Sequence, residues 1–163
     1  MVRQTTFRTL MAIAAKKGMT VKQYDIKTAF LYGDLEEEIY MRQPCGFEGA
    51  KGKVCKLKKS LYGLKQAARS WNQKLHEALK RQGFDRCVAD TCLYRKRRAG
   101  RWCYVLVYVD DLVVASEDPK MIDNLVKALQ QSFELSVLGD IRFYLGMEVE
   151  KNEQGDYFLS QRK

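Results

Sequence analysis

One stretch constrains this chain more than any other: residues 104–116, YVLVYVDDLVVAS. Valines and other apolar residues lead up to an Asp-Asp step and resume after it, so each half reads as a strand buried on both faces. The step is short enough to be the tip of a hairpin. Two adjacent carboxylates at such a tip repel each other and raise each other's pKa. A divalent cation between them removes that penalty, which makes the stretch read as half of a metal site. Asp is also an ordinary turn residue, so the tip alone does not decide between the two readings.

At 163 residues the chain suits one ordinary domain with a real core. Its net charge of +9 favours a polyanionic partner, either nucleic acid or an anionic membrane surface. No apolar run has the length of a membrane span and the start carries no signal-peptide pattern, so no membrane role is expected. The cysteines, Cys45, Cys55, Cys87, Cys92 and Cys103, are odd in number and form no CxxC pair. Zinc and a disulfide framework are therefore poorly supported, and reduced, mostly buried thiols in an intracellular compartment are expected. The single histidine, His76, falls in a predicted helix and leaves little room for histidine-dependent nucleophilic catalysis.

Along the chain, Phe7, Leu10, Met11 and Ala14 predict a helix over 5–17 that stops at Gly18. A short strand is expected over 20–25, another near 36–41 behind a charged leader, a turn at 43–46 and a third short strand over 53–57. Ala67, Trp71, Leu75, Ala78 and Leu79 share one stripe of a helix over about 66–82, ended by Gly83. Strands over 91–96 and 101–107 flank the basic turn RKRRAGR at 95–101. Asp118 and Pro119 cap and open a further helix with Ile122, Leu125, Val126 and Leu129 inward. The tail, 141–159, reads as two strands broken at 152–155. The expected class is α+β, with helices backing one face of a mainly antiparallel sheet.

Asp25, at the end of the first predicted strand, is the third carboxylate that could join Asp110 and Asp111 at one sheet edge. Hard oxygen ligands of this kind suit Mg²⁺ or Mn²⁺. Two such ions about 3.5–4 Å apart stabilise the attacking and leaving oxygens of an in-line phosphoryl transfer.

These residues sit in blocks with a recognisable order. YDIKTAFLYGDLEEEIYMRQPCGF at 24–47 resembles the first palm block of copia-type LTR-retrotransposon reverse transcriptases, and SLYGLKQAARSW at 60–71 resembles the second block. YVDD at 108–111 resembles that family's YVDD box, and LG at 138–139 with FYLGMEV at 143–149 resembles its last palm block, the primer grip. Two positions depart from the pattern: Tyr32 stands where asparagine is common, and Ser136 where a lysine often precedes the Leu-Gly.

The resemblance implies that Asp25, Asp110 and Asp111 bind two Mg²⁺ (or Mn²⁺) ions and carry catalysis. It implies that Phe30 packs under the sugar of the incoming dNTP, that Gln66 contacts the nucleotide or template backbone, and that Tyr108 lies near the primer end. Gly146 and Met147 would support the primer strand. One partial reverse-transcriptase domain is implied over 1–163, an antiparallel palm sheet from 1–36 and 63–160 with a fingers insert over about 37–62. Most of the fingers, the thumb and the RNase H region would lie outside the chain. The implied function is RNA-directed DNA polymerisation on a primed RNA or DNA template, within the remainder of a Pol polyprotein in an intracellular, cytoplasmic particle, with the nucleus open.

The alternative is a catalytically dead, truncated mobile-element remnant that at most binds nucleic acid. A nucleotide cyclase, another palm enzyme, is disfavoured because its Gly-Gly-carboxylate hairpin is missing. Lys51, Lys53, Lys56, Lys58 and Lys59 are candidate phosphate contacts. The run 95–98 is open between a nucleic-acid contact, a nuclear-localisation run and a solvated turn.

Overall fold

The computed structural model describes residues 2–50 and 52–161. The chain forms two compact units, one of residues 1–27 and 78–163 and the other of residues 28–77. Both are built from α-helices and antiparallel strands, an α+β fold.

The larger unit opens with α1, Gln4–Lys16, whose stripe of Phe7, Leu10, Met11 and Ala14 is buried. Gly18, at φ 59°, ends it, and β1, Thr20–Ile26, follows. After residues 28–77 come β4, Asp85–Arg86, β5, Leu93–Arg98, β6, Arg101–Tyr108, and β7, Asp111–Ser116. Then follow α3, Pro119–Gln130, and β8, Leu135–Asp140. These strands make a six-stranded sheet in the order β4-β5-β6-β7-β1-β8, with every neighbouring pair antiparallel. β9, Phe143–Tyr144, β10, Met147–Lys151, and β11, Tyr157–Ser160, form a separate three-stranded sheet.

The alternation of side chains gives the six-stranded sheet two different faces. Val21, Leu106, Val113 and Ala115 pack with Phe7, Leu10 and Met11 of α1 and with Tyr144, Met147 and Val149 of the three-stranded sheet. Tyr24, Cys103, Val105, Leu112 and Val114, of opposite parity, are buried on the other face. The Asp118 side chain accepts a hydrogen bond from the Lys120 N–H at 3.0 Å with Pro119 at the first helical position, so α3 starts where the sequence places it.

The smaller unit holds a 3₁₀ turn, Ala29–Tyr32, and the two-stranded ribbon β2, Tyr40–Arg42, with β3, Val54–Lys56. It also holds the start of α2, Ala67–Arg81, whose last turn belongs to the larger unit. Gly33 is needed here for space: a Cβ on it would meet the Ser70 Cβ at 3.0 Å and the Trp71 nitrogen at 3.2 Å.

The structure differs from the sequence expectations chiefly in the strands, and β5 runs over Leu93–Arg98 rather than 91–96. β8 was not anticipated, and it takes one edge of the main sheet; β4, of two residues, was not anticipated either. The tail holds three strands rather than two, because the two-residue β9 precedes the two expected ones. The ribbon strands β2 and β3 are shorter than expected and begin only at Tyr40 and Val54. No helix among the described residues is long and apolar enough to cross a membrane.

Candidate active site

β1 and β7 pair in a register that runs from Thr20 opposite Ser116 to Asp25 opposite Asp111. The Ile26 N–H donates to the Asp110 carbonyl at 2.9 Å, which carries the pairing into the turn. Asp25 and Asp111 are thus a cross-strand pair at the end of two central strands, and Asp110 is the next residue around the tip. β6 completes the arrangement by pairing Tyr108 with Asp111.

The electrostatics of the pair follow from this placement. Burial pushes the Asp25 carboxyl up from its ordinary value, and the Asp110 charge pushes it further, while Lys27 acts the other way. Burial also raises Asp111, with the charges of Asp110 and Asp25 adding to it. Gln23, 9% exposed and two residues before Asp25 on the same strand face, lies diagonally across from Asp111. Its Nε2 donates to the Asp111 Oδ1 at 3.5 Å and holds that carboxyl partly down. The Tyr144 phenol is 1% exposed and its hydroxyl finds no hydrogen-bond partner among the described residues. Burial and then the nearby Asp111 charge keep it protonated. The sequence reading missed Gln23 and Tyr144; the parity of Gln23 with Asp25 was the one available signal for the first.

The turn itself is strained. It has two residues, Val109 and Asp110, and Val109 stands at φ 56°. A β-branched side chain there costs about 1–2 kcal/mol. The other two-residue hairpins of the larger unit place glycine in the second turn position, at Ala99-Gly100 (φ 49° and 81°) and Leu145-Gly146 (φ 51° and 76°). Both fit the type I′ turn that favours hairpin twist.

The three aspartates suit a hard divalent cation by chemistry: all donors are carboxylates, and both raised groups are destabilised by like charge that a cation would cancel. Among the described residues, however, no three His, Cys, Asp or Glu side chains stand close enough together to hold a metal ion. What the fold sets is the backbone register and the shared charge.

The other sequence-predicted residues fall as follows. Tyr108 is half-buried at the end of β6 and packs against the core. Gly146 forms the β9–β10 turn, and Met147 beside it is 1% exposed in the core. Ser136 pairs with Asp25 from β8. Phe30 and Gln66 belong to the smaller unit. There the Phe30 ring lies 4.4 Å from that of Tyr62, and the Gln66 Nε2 donates to Glu37 at 3.3 Å. Lys59 and Lys74 grip Asp34 at 2.7 and 2.6 Å and pull its carboxyl down to about 2. Lys56 pairs with Glu38. Lys53 and Lys58 are exposed, and Lys51 lies outside the described residues. The five cysteines are free, but against the expectation of mostly buried thiols only Cys103 is buried, Cys45 being exposed and the other three half-buried; burial pushes Cys103 up to about 11.

The family described as reverse transcriptase (RNA-dependent DNA polymerase) matches residues 1–163. The chain is 44% identical over 166 residues to the retrovirus-related Pol polyprotein from transposon TNT 1-94 of Nicotiana tabacum, covering 99% of this chain and 12% of that protein. It is 37% identical to the Pol polyprotein from transposon RE1 of Arabidopsis thaliana, covering 99% of this chain and 11% of the relative. A putative transposon Ty5-1 protein of Saccharomyces cerevisiae is 36% identical over 83% of this chain and 45% of its own length. The chain thus spans a minor part of these relatives, and no solved structure matches it. With the family matched from end to end, the chain belongs to the copia-type retrotransposon reverse transcriptases.

Proposed function

We propose that this chain carries the catalytic centre of an RNA-directed DNA polymerase, which transfers a nucleotidyl group from a dNTP to a primer 3′-hydroxyl. The observation that carries the reading is the register placing Asp25 opposite Asp111, with Asp110 adjacent in the turn. Two Mg²⁺ (or Mn²⁺) ions, when bound, supply activation of the 3′-hydroxyl and neutralisation of charge on the transferring phosphate.

Asp25, Asp110 and Asp111 would hold those ions, through the hard carboxylate oxygens that suit them. Gln23 orients Asp111 through its hydrogen bond. Tyr108 is the residue nearest the tip on β6 and is assigned to the primer end. Gly146 and Met147 are assigned to the primer strand, and the buried Met147 anchors their hairpin to the core. Phe30, braced by Tyr62, is assigned to the sugar of the incoming nucleotide, and Gln66 to its phosphates or the template. No covalent intermediate on the protein is required, so positioning and charge neutralisation supply the rate.

In domain terms, 1–36 and 63–160 are proposed as palm and about 37–62 as a fingers insert. Template, primer, dNTP and the rest of a Pol polyprotein are the proposed partners, and a cytoplasmic retroelement particle the proposed location. The rival reading, a catalytically dead remnant that binds nucleic acid, is favoured by one observation: the three carboxylates do not yet form a closed metal-binding group.

Primer extension separates the two. The chain, alone and joined to the flanking segments of its reading frame, is assayed for dNTP incorporation on a primed RNA template with Mg²⁺ or Mn²⁺. The polymerase reading expects incorporation that requires the ion and disappears in Asp110→Asn, with circular dichroism showing the variant folded. Equal incorporation by wild type and variant overturns the carboxylate mechanism, and no incorporation in any form leaves the remnant reading.

A further inference from the structure

The proposed polymerase reading leaves the basic hairpin at 95–101 without a task. In the fold its charges are organised. β5 and β6 pair Arg95 with Tyr104 and Arg97 with Trp102, so these four side chains share one face of the sheet. The Arg97 guanidinium lies 5.4 Å from the Trp102 ring centroid and that of Arg95 6.0 Å, both over the ring. The Trp102 and Tyr104 rings stack at 5.8 Å with 14° between their planes. The result is a ladder in which two guanidinium groups cover one indole that stacks on the neighbouring phenol, with both arginines exposed and both aromatics half-buried.

Its base is fixed. The Trp102 N–H donates to the Glu117 carboxylate at 2.7 Å, and the Trp102 carbonyl accepts from the Glu117 N–H at 3.1 Å and from the Ser116 hydroxyl at 3.2 Å. The nearby acids are Glu117, which Lys17 answers with an ion pair at 3.2 Å, and Asp85, the cross-strand neighbour of Arg95 on β4. Among the described residues, no carboxylate lies within ion-pair distance of Arg95, Arg97 or Arg98; Arg101 reaches Asp118 at 3.7 Å. Two guanidinium groups over one indole, neither in an ion pair among the described residues, concentrate positive charge and π surface at one place on the sheet. A partner that brings phosphates to the arginines and flat bases to the rings answers both halves of the pattern.

We propose that the Arg95–Arg97–Trp102–Tyr104 ladder is a binding platform for single-stranded nucleic acid, separate from the carboxylate tip. Both lie on the same face of the sheet, near opposite ends of β6, whose length from Arg101 to Tyr108 is roughly 24 Å at about 3.4 Å per residue. The platform reads charge and stacking, so it takes RNA or DNA with little sequence preference.

The test uses the chain itself, in EDTA so that a divalent-ion site contributes nothing. The chain has two tryptophans, and Trp71 is 2% exposed, so Trp102 reports the ladder. Oligo-uridine and oligo-thymidine 12-mers are titrated while tryptophan emission and the anisotropy of a labelled oligomer are followed. Binding should quench Trp102, and Trp102→Leu should weaken affinity roughly 5- to 160-fold, the span of one stacked base. Arg95→Ser with Arg97→Ser should weaken binding and flatten the slope of log affinity against log salt by about 1.4, two phosphates at about 0.7 each. Removing equal charge from exposed α3 positions, Lys120→Ser with Lys127→Ser, should change affinity less than about twofold. Should Trp102→Leu fail to fold, the exposed arginine pair carries the test. Unquenched Trp102 emission, equal loss from the α3 control, or heparin binding as tightly as the oligomers would overturn the proposal in favour of unspecific charge.

Discussion

At one end of β6 the chain turns through Ala99 and Gly100 between Arg98 and Arg101; at the other it turns through Val109 and Asp110 between Tyr108 and Asp111. The first turn follows the type I′ pattern, with Ala99 at φ 49°, glycine at φ 81° and its arginines in solvent. The second departs from it, with a β-branched valine at φ 56°, no glycine, and the neighbouring Asp25 and Asp111 carboxyls raised by burial and by like charge. Both are closed by a single cross-strand pair, so hairpin geometry alone does not explain the strain. A fold keeps a locally unfavourable tip where the surrounding register over-determines it, and such tips concentrate at sites of chemistry.

The sharpest way to break this contrast is at the acidic tip. Asp110→Asn should cut dNTP incorporation at least roughly 100-fold, as losing a charge-stabilising group does elsewhere, while circular dichroism stays native. Incorporation within twofold of wild type would reduce the acidic tip to a turn like the basic one.

Next come paired turn swaps read by urea unfolding. Gly100→Val should destabilise by about 1–2 kcal/mol because it forces a β-branched residue to positive φ. Val109→Gly should do the reverse, gaining about 0.5–1 kcal/mol as relieved strain outweighs the added chain entropy. Effects of the same sign would show that the two turns are not strained differently.

Acidity sharpens the comparison further. Asp25 and Asp111 are both raised above 3.8, so the folded chain holds these protons more tightly than the unfolded one. Their stabilising contribution is full below 3.8 and is lost as pH rises through their folded values. In EDTA above that window, Asp25→Asn should therefore raise the melting temperature. Mg²⁺ at ten times its dissociation constant should stabilise the wild type by about 1.4 kcal/mol and Asp25→Asn by less. A wild type indifferent to Mg²⁺ in thermal melts would count against the ion site. The smallest effect belongs to the basic end, where Arg98 and Arg101 face each other as like charges. Arg98→Glu should gain about 0.2–1 kcal/mol, and a loss of stability would mean that the opposed arginines are not a liability.

How much of this was legible depended on range. α1, α3 and the 104–116 hairpin announce themselves through spacing, caps and apolar runs within about a dozen residues. β8 did not: Val137 and Leu138 are 63% and 52% exposed on a sheet edge, so burial leaves no alternation there to read. Its pairing with β1 is also irregular, with a register shift between Gln23 and Tyr24. Asp25 and Asp110 could be named as candidates from the sequence, but their juxtaposition could not be derived from local pattern. The resemblance supplied it as an expectation, and the β1–β7 register is the structural counterpart. Gln23 and Tyr144 escaped because a polar strand residue and a buried phenol acquire meaning only beside Asp111.

The position of β1, between β7 and β8 in the sheet, has a consequence for how the molecule assembles. Gln23 and Asp111 are 88 positions apart, so closing that loop costs roughly 4 kcal/mol of chain entropy before a single rung forms. Hairpins β5–β6 and β6–β7 close locally and fast, whereas β1 emerges early and must wait for both of its neighbours. Until it docks, the β7 edge stays open, with Val113 and Ala115 uncovered, a template for wrong pairing between chains. The strand that brings Asp25 to Asp111 thus also caps that edge, so docking of β1 forms the Asp25–Asp111 pair and closes the open edge together.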